Sequence, residues 1–268
     1  MTGWILYDEQ GAKRNEWFIT SFLQTAKRYN IDLLLKVVSG LADVERLAKD
    51  SLPDFAIVRT IAPQINRFLE ERGVSVFNNY QTAKVANDKW LTYTLCQSLY
   101  LPTMQTQLLS SPLSLDFPFV IKSLDGHGGK EVFLIEDRQV FNEKLPLIDK
   151  NNFLAQEFCS SPGKDMRAYV LGDEVLCGVL RQSDSDFRSN FSLGGKASVC
   201  EVSPKQKEII KALRSALHFD LVGIDFILHN GEWVLNEIED VVGTRMLYHC
   251  TDMDIVDLYL RYILSHLS

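Results

Sequence analysis

The 268 residues hold no C-x-x-C pair, no internal repeat, no low-complexity segment and no apolar stretch approaching a membrane span. Each absence removes a class of protein. Five cysteines, at positions 96, 159, 177, 200 and 250, are odd in number and widely spread. That argues against a zinc site or a redox couple and for reduced, mostly buried thiols. Cationic surplus is lacking too: 28 Lys and Arg stand against 35 Asp and Glu, a formal net charge of −7. Such a balance gives no basic surface for a nucleic-acid backbone, so a bound polyanion must be met by a few placed cations. The stretch from Met1 to Asp8 has too short an apolar run and no basic flank for a signal peptide, so the expected location is the cytoplasm, without membrane or nucleic-acid partners. Apolar content, by contrast, is 46%, enough for a substantial core in one large domain or two modest ones.

The first eighty residues alternate short β-type runs with helical runs. Trp4 to Tyr7, Leu33 to Val38, Phe55 to Val58 and Val74 to Phe77 read as strands, and Phe18, Phe22, Ala26 and Tyr29 mark a buried helical stripe between the first two. This alternation predicts a small, mostly parallel, open sheet ending at Asn78 and Asn79. A long helix is expected from Thr82 to Tyr100, stopped by Leu101 and Pro102. Beyond it the pattern changes to hairpins. Phe117 to Lys122 and Glu131 to Ile135 flank a glycine-rich loop, Arg138 to Leu145 suits a helix, and Phe153 to Phe158 is extended. Arg167 to Val170 and Val175 to Leu180 bracket a turn at Gly172 and Asp173. The clearest helix is Pro204 to His218, with Ser203 as cap, proline at the first position and Gln206 completing a capping box. Val222 to Leu228 and Trp233 to Glu239 then meet across Asn230 and Gly231.

That last hairpin carries the strongest chemical signal, because Asp225, Glu237 and Glu239 interrupt otherwise apolar strands. A two-residue turn at Asn230 and Gly231 puts Asp225 on the face opposite both glutamates. A three-residue turn that adds His229 puts all three acids on one face, with Gly223 opposite Glu237, and leaves Ile224, Phe226, Leu228, Val234 and Ile238 as a core face. Three like charges on a half-buried sheet are costly unless a cation compensates them, and hard carboxylate oxygens suit magnesium or manganese. Isolated acidic pairs are commonly solvated strand ends; it is the convergence of three that favours metal. Two weaker signals accompany it. Gly126, Gly128 and Gly129 let backbone N–H groups approach phosphate oxygens, with Lys122 just ahead, although the loop matches neither a Walker loop nor a dinucleotide fingerprint. The polar run from Arg181 to Lys196 suits a loop over an active site, with Arg181 and Arg188 able to fork onto phosphate.

Taken in order, several stretches resemble the ATP-grasp superfamily, and most closely its RimK-like branch of glutamate and amino-acid ligases. They are Asn-Asp-Lys at 87–89, Pro-Phe-Val-Ile-Lys at 118–122, Asp-Gly-His-Gly-Gly at 125–129, Ala-Gln-Glu-Phe at 155–158 and Gly-Lys-Asp-Met-Arg at 163–167. Phe-Arg-Ser-Asn at 187–190 followed by Gly194 and Gly195, Val-Gly-Ile-Asp at 222–225 and Asn-Glu-Ile-Glu at 236–239 complete the series. The resemblance implies a mixed α/β fold, with a pre-ATP-grasp α/β domain over residues 1–80 and an ATP-grasp unit over 81–268. A small central lobe would run to 160 and a C-terminal lobe would follow from 161.

It implies an ATP-dependent ligase that joins a carboxylate to an amine through an acyl phosphate, releasing ADP and phosphate. The substrates would be small carboxylates and amines, amino acids or peptides, and a homodimer is the default assembly. By the same resemblance Lys89 and Lys122 would hold phosphates under the loop of Gly126, His127, Gly128 and Gly129. Gln156, Glu157 and Phe158 would meet adenine, Asp165 the ribose, and Asn190 would belong to the ATP site. Arg188 would steady the transferred phosphoryl group, Arg167 and Arg181 would contact substrate carboxylate or phosphate, and Asp225, Glu237 and Glu239 would hold two magnesium ions, or manganese. Glu239 stands where the family usually has asparagine, and Glu131 where many members keep another glycine. A catalytically silent ATP-binding protein of the same fold, and a ligase tailoring a ribosomal peptide, are the competing readings.

Overall fold

Residues 1–126, 131–183 and 196–267 are described by a computed structural model of the chain. Four short strands open it: β1 (Thr2–Tyr7), β2 (Asp32–Val37), β3 (Phe55–Val58) and β4 (Ser75–Phe77). They pair in parallel in the order β2-β1-β3-β4, as the strand–helix alternation predicts. Because side chains alternate across a strand, the apolar runs serve two faces at once. Trp4, Leu6, Ala56 and Val58 pack with Val44 of α3 (Leu41–Leu47) and with Ile65, Phe68 and Leu69 of α4 (Pro63–Glu70). Ile5, Tyr7, Phe55 and Ile57 face α2 (Glu16–Arg28), which follows the short α1 (Glu9–Arg14).

That second face is not closed by the first eighty residues alone. The same buried cluster takes in Tyr169, Leu221, Val242 and Met246, together with Ile255, Tyr259 and Ile263 from the chain's last helix. Phe22 of α2 meets Tyr259 edge-on at 6.2 Å between ring centroids. Asn78, just after β4, ties the seam with polar bonds: its Nδ2 donates to Leu221 O at 2.8 Å and Asp240 O at 2.9 Å, and its Oδ1 accepts from Asp220 N. Asn78→Ala removes all three from a buried position, and the orphaned groups are expected to cost about 2–4 kcal/mol in urea unfolding.

The expected long helix is two helices, α5 (Tyr80–Ala86) and α6 (Lys89–Ser98). The break has a local cause. Asn87 turns its amide back to Ala83 O at 2.8 Å and to Asp240 Oδ1 at 2.9 Å, while Asp88 Oδ1 accepts from the N–H groups of Trp90 and Leu91 at 2.9 and 3.0 Å. Capping side chains thus end one helix and start another, which sets Lys89 at the first position of α6.

Two antiparallel sheets follow. The smaller contains β5 (Thr106–Leu108), β6 (Phe119–Ser123), β7 (Val132–Ile135) and β8 (Phe153–Glu157) in the order β5-β8-β6-β7, with α7 (Arg138–Lys144) alongside. The larger contains β9 (Lys164–Leu171), β10 (Glu174–Gln182), β11 (Lys196–Cys200), β12 (Leu221–His229) and β13 (Glu232–Glu239) in the order β11-β10-β9-β12-β13. One face of the larger sheet, with Met166, Ala168, Ile224, Phe226, Leu235 and Ile238, buries against α8 (Pro204–Leu217) and Cys96 of α6. The capping box at Ser203 and Gln206 forms as predicted. The sequence reading missed β5, β11 and the closing helices α9 (Arg245–Cys250) and α10 (Ile255–Leu267). No described helix is long and apolar enough to cross a membrane.

Candidate functional site

The hairpin of β12 and β13 resolves the register by a route neither expected turn supplied. Its turn has two residues, Asn230 and Gly231, both at positive φ, and His229 pairs with Glu232. Taken alone that would separate Asp225 from the glutamates. A β-bulge corrects it: Phe226 pairs with Leu235 but Asp225 pairs with Glu237, so Asn236 is the extra residue and the parity of the strand flips there. Beyond the bulge Gly223 lies opposite Glu239, not Glu237, and all three acids share one face. Before the bulge the faces exchange. Val234, expected in the core behind the acids, pairs with Ile227 on the acidic face, and Leu235 and Trp233 pack on the core side instead.

The neighbouring strands complete that face. Asp225 pairs across to Arg167 on β9, and Arg181 on β10 pairs with Asp165. A charge ladder results. Arg167 donates to Asp225 through Nε at 2.7 Å and Nη2 at 2.8 Å, and its Nη2 lies 2.5 Å from Glu239 Oε1. Arg181 donates to both oxygens of Asp165, at 2.5 and 2.8 Å, and to Asp225 Oδ2 at 2.7 Å. Both arginines and Asp225 are buried. Burial alone would raise the Asp225 carboxyl, but the two guanidiniums outweigh it and hold the group well below the usual carboxylate range. Glu239 moves the other way: desolvation, with the charges of Asp225 and Glu237, raises it against the pull of Arg167.

Gly223 is needed for this arrangement. A Cβ there would stand 2.7 Å from Val242 Cγ2 and 3.2 Å from Arg167 Cδ, so the glycine makes the room that the arginine stem fills. Gly223→Ala is expected to displace Arg167 and cost about 1–3 kcal/mol, read by thermal and urea melts.

A cleft lies between this sheet and the smaller one, lined by Lys89, Tyr93, Lys122, Gln156, Asn236 and Glu237 among others. Lys122 is the penultimate residue of β6, with its Nζ 3.2 Å from Asn236 Oδ1 and 3.9 Å from Glu237 Oε1. Burial lowers its ammonium, the charge of Lys89 adds to that, and Glu237 opposes it. Lys89 donates from α6 to the Gly126 carbonyl. At Gly126 a Cβ would approach Ser123 Cβ to 3.0 Å and Glu131 Oε2 to 3.2 Å. Gln156 is buried, with its amide donating to Thr106 Oγ1 at 3.0 Å, and Glu157 pairs with His229 at 3.2 Å. Phe158 follows β8 directly and is half-buried.

Beside these residues sits a cluster the sequence reading did not single out, Met104, Cys159 and Val234 with Ile227 against them. Its signal was the position of Ile227 two residues after Asp225, which strand alternation alone puts on the same side of β12; that Val234 joins it follows from the two-residue turn. His127, Gly128, Gly129, Arg188 and Asn190 lie outside the described residues.

Carboxylate oxygens beside a cleft fit a hard divalent ion. Among the described residues, though, no three His, Cys, Asp or Glu side chains gather closely enough to hold one. Both oxygens of Asp225 and one of Glu239 meet arginines, and Glu237 is the acid of the three that lines the cleft.

Comparison with known proteins adds a family: a profile described as the RimK-like ATP-grasp domain matches residues 96–263. The chain belongs to that family. As a RimK-like ATP-grasp protein it is an ATP-dependent ligase that forms carbon–nitrogen bonds between carboxylates and amines. It is 26% identical over 265 residues to the uncharacterized protein MG011 of Mycoplasma genitalium, covering 97% of this chain and 92% of that one. Glutamate–LysW ligase ArgX of Sulfurisphaera tokodaii is 28% identical over 84% of this chain and 90% of its own length. The crystal structure of D-alanine–D-alanine ligase from Bacillus anthracis complexed with ATP shares the fold at a TM-score of 0.75, with 15% identity, 100% of this chain and 97% of that one covered.

Proposed function

We propose that this ligase works in the cytoplasm on an amino acid or peptide, with glutamate as one of the joined partners. The observation that carries the reading is the cleft, where two lysines from separate elements, Lys89 and Lys122, line one wall region with Gln156 and Glu237. The name of the Sulfurisphaera relative, a glutamate ligase, supports the choice of substrate.

In this reading Lys122 and Lys89 meet the triphosphate, and Gln156, Glu157 and Phe158 border the adenine. The apolar group of Met104, Cys159, Ile227 and Val234, packed beside these residues, would back its ring. Asp165 serves the ribose while its pairing with Arg181 fixes its orientation. Magnesium would be held at Glu237 beside Asp225 and would neutralise charge as the γ-phosphoryl group moves.

No protein nucleophile is required. A substrate carboxylate oxygen attacks the γ-phosphorus and ADP leaves; the amine then attacks the acyl carbon, phosphate leaves with the bond electrons, and the nitrogen loses its proton. The chain's own contribution is to position the partners and to offset charge with Lys89 and Lys122, while Arg167 and Arg181 hold the acids in place.

An ADP-release screen over amino acids and small carboxylates with magnesium tests the proposal. Turnover is expected with a pair that includes glutamate. Binding of ATP with no release across such a panel would overturn it.

A further inference from the structure

We propose that Arg59 anchors a non-reacting carboxylate of the amino-acid substrate, at the seam where the open parallel sheet meets the loop that leaves β13. The inference deepens the ligase reading above and rests on it.

Arg59 directly follows β3, and its place in the sheet matters first. In the order β2-β1-β3-β4 the chain turns to opposite faces after the two central strands, to α2 beyond β1 and to α4 beyond β3. The carboxyl ends of β1 and β3 therefore flank the point where the winding reverses, which is where open parallel sheets leave a crevice for ligands. The last register pair there is Leu6 with Val58, so Tyr7 and Arg59 stand side by side one residue further on.

What Arg59 lacks matters more. It is only 7% exposed, and among the described residues its guanidinium makes one hydrogen bond, from Nη2 to Val242 O at 2.7 Å. Its Nε is buried with no partner, and so is the hydroxyl of Tyr7. The other buried arginines, Arg167 and Arg181, each meet two carboxylates. Arg59 meets none among the described residues. Asp8 caps α1 through Gly11 N at 2.8 Å, and Asp240 accepts from Asn87 Nδ2 at 2.9 Å and feels Arg59 only as a charge beyond ion-pair distance. A buried cation left in that state burdens the fold until an anion completes it, and a planar fork with donors to spare suits a carboxylate.

The seam is also close to the chemistry. Val242, whose carbonyl holds Arg59, packs where Gly223 leaves room: a Cβ on Gly223 would lie 2.7 Å from Val242 Cγ2 and 3.2 Å from Arg167 Cδ. Tyr169, two residues beyond Arg167 on β9, donates to Gly243 O at 2.9 Å. The anchor thus sits one loop away from the ladder of acids and arginines. The carboxylate it grips is not the one activated, because the guanidinium holds its negative charge; the amine or a second carboxylate of the same molecule reacts. Glutamate carries both.

Equilibrium dialysis of radiolabelled glutamate against the full chain tests the anchor, with magnesium and a nonhydrolysable ATP analogue whose own binding is measured alongside. The wild type is expected to bind glutamate, and to bind one of its two monoamides, glutamine or isoglutamine, at least about tenfold more weakly in competition. Arg59→Gln should weaken glutamate at least about tenfold, erase the difference between glutamate and that amide, and change the affinity for the ATP analogue less than about twofold. Arg59→Lys keeps the charge without the fork and should weaken glutamate at least about threefold. A residue that merely braced the loop at Val242 would not tie the amide difference to its own charge.

A wild type that binds glutamate and both amides alike would overturn the proposal. So would a folded Arg59→Gln that keeps its glutamate affinity. If Arg59→Gln does not fold, Arg59→Lys decides: weakened glutamate with unchanged nucleotide supports the anchor, and unchanged glutamate overturns it. If the ATP analogue binds the wild type and glutamate does not, the glutamate reading falls and takes the anchor with it, whereas failure of the anchor alone leaves glutamate bound.

Discussion

Asp225→Asn will lose both turnover and a large part of the protein's stability. The carboxylate is buried and accepts from Arg167 and Arg181 at 2.7 and 2.8 Å, so an amide in its place brings NH2 hydrogens against guanidinium hydrogens and leaves two buried cations short of charge. Breaking one member out of a buried ionic group typically costs about 3–5 kcal/mol, most of it from the stranded partners. ADP release under saturating substrates is expected to fall by at least about a thousandfold, since the charge that orders both arginines is gone.

The same substitution predicts a pH signature. Asp225 in the folded state sits below the usual carboxylate range, so its contribution is complete above the unfolded value of about 3.9 and is lost as pH falls toward the folded one. The stability gap between wild type and Asp225→Asn should accordingly be constant near neutrality and narrow below about pH 4. Urea melts at pH 7 that give the two proteins equal stability would mean that the ladder of acids and arginines does not hold in solution.

Lys122→Met is expected to separate activity from stability. Among the described residues, buried Lys122 has one hydrogen bond, to Asn236 at 3.2 Å, and burial already lowers its ammonium, so the charge is costly to the fold. Methionine keeps the stem's volume and removes that cost, which makes the change near neutral or slightly stabilising. The price appears in catalysis: with one phosphate cation gone, kcat/KM for ATP should fall by about 10²–10³-fold. A stable variant with unchanged kinetics would remove Lys122 from the nucleotide site. The pair of variants is informative together, because Asp225 belongs to the buried ladder of acids and arginines while Lys122 lines the cleft, and they differ in which of the two properties they support.

The first strands and their helices were legible because apolar runs and caps act over a few residues. Phe55–Val58 and the capped helix at Pro204 lie where local chemistry predicts them. The break at Asn87 and Asp88 was written in the same local language, yet an apolar helical pattern on both sides concealed it. Lys122 and the three acids could be named without coordinates, since carboxylates and lysines inside apolar strands are expensive and stand out, whereas Lys89, at the start of α6, was reached only through the family resemblance.

What the sequence by itself determined is therefore the list of elements and of chemically costly side chains. Only the tertiary structure decided how they meet. A two-residue turn followed by a bulge at Asn236 brings Asp225 and the glutamates to one face, and strand pairing across β9 and β10 delivers Arg167 and Arg181 to acids 16 to 58 residues away. Register is a property of the paired sheet, in which a single inserted residue reverses every side chain beyond it, and no pattern within one strand records its partner's count.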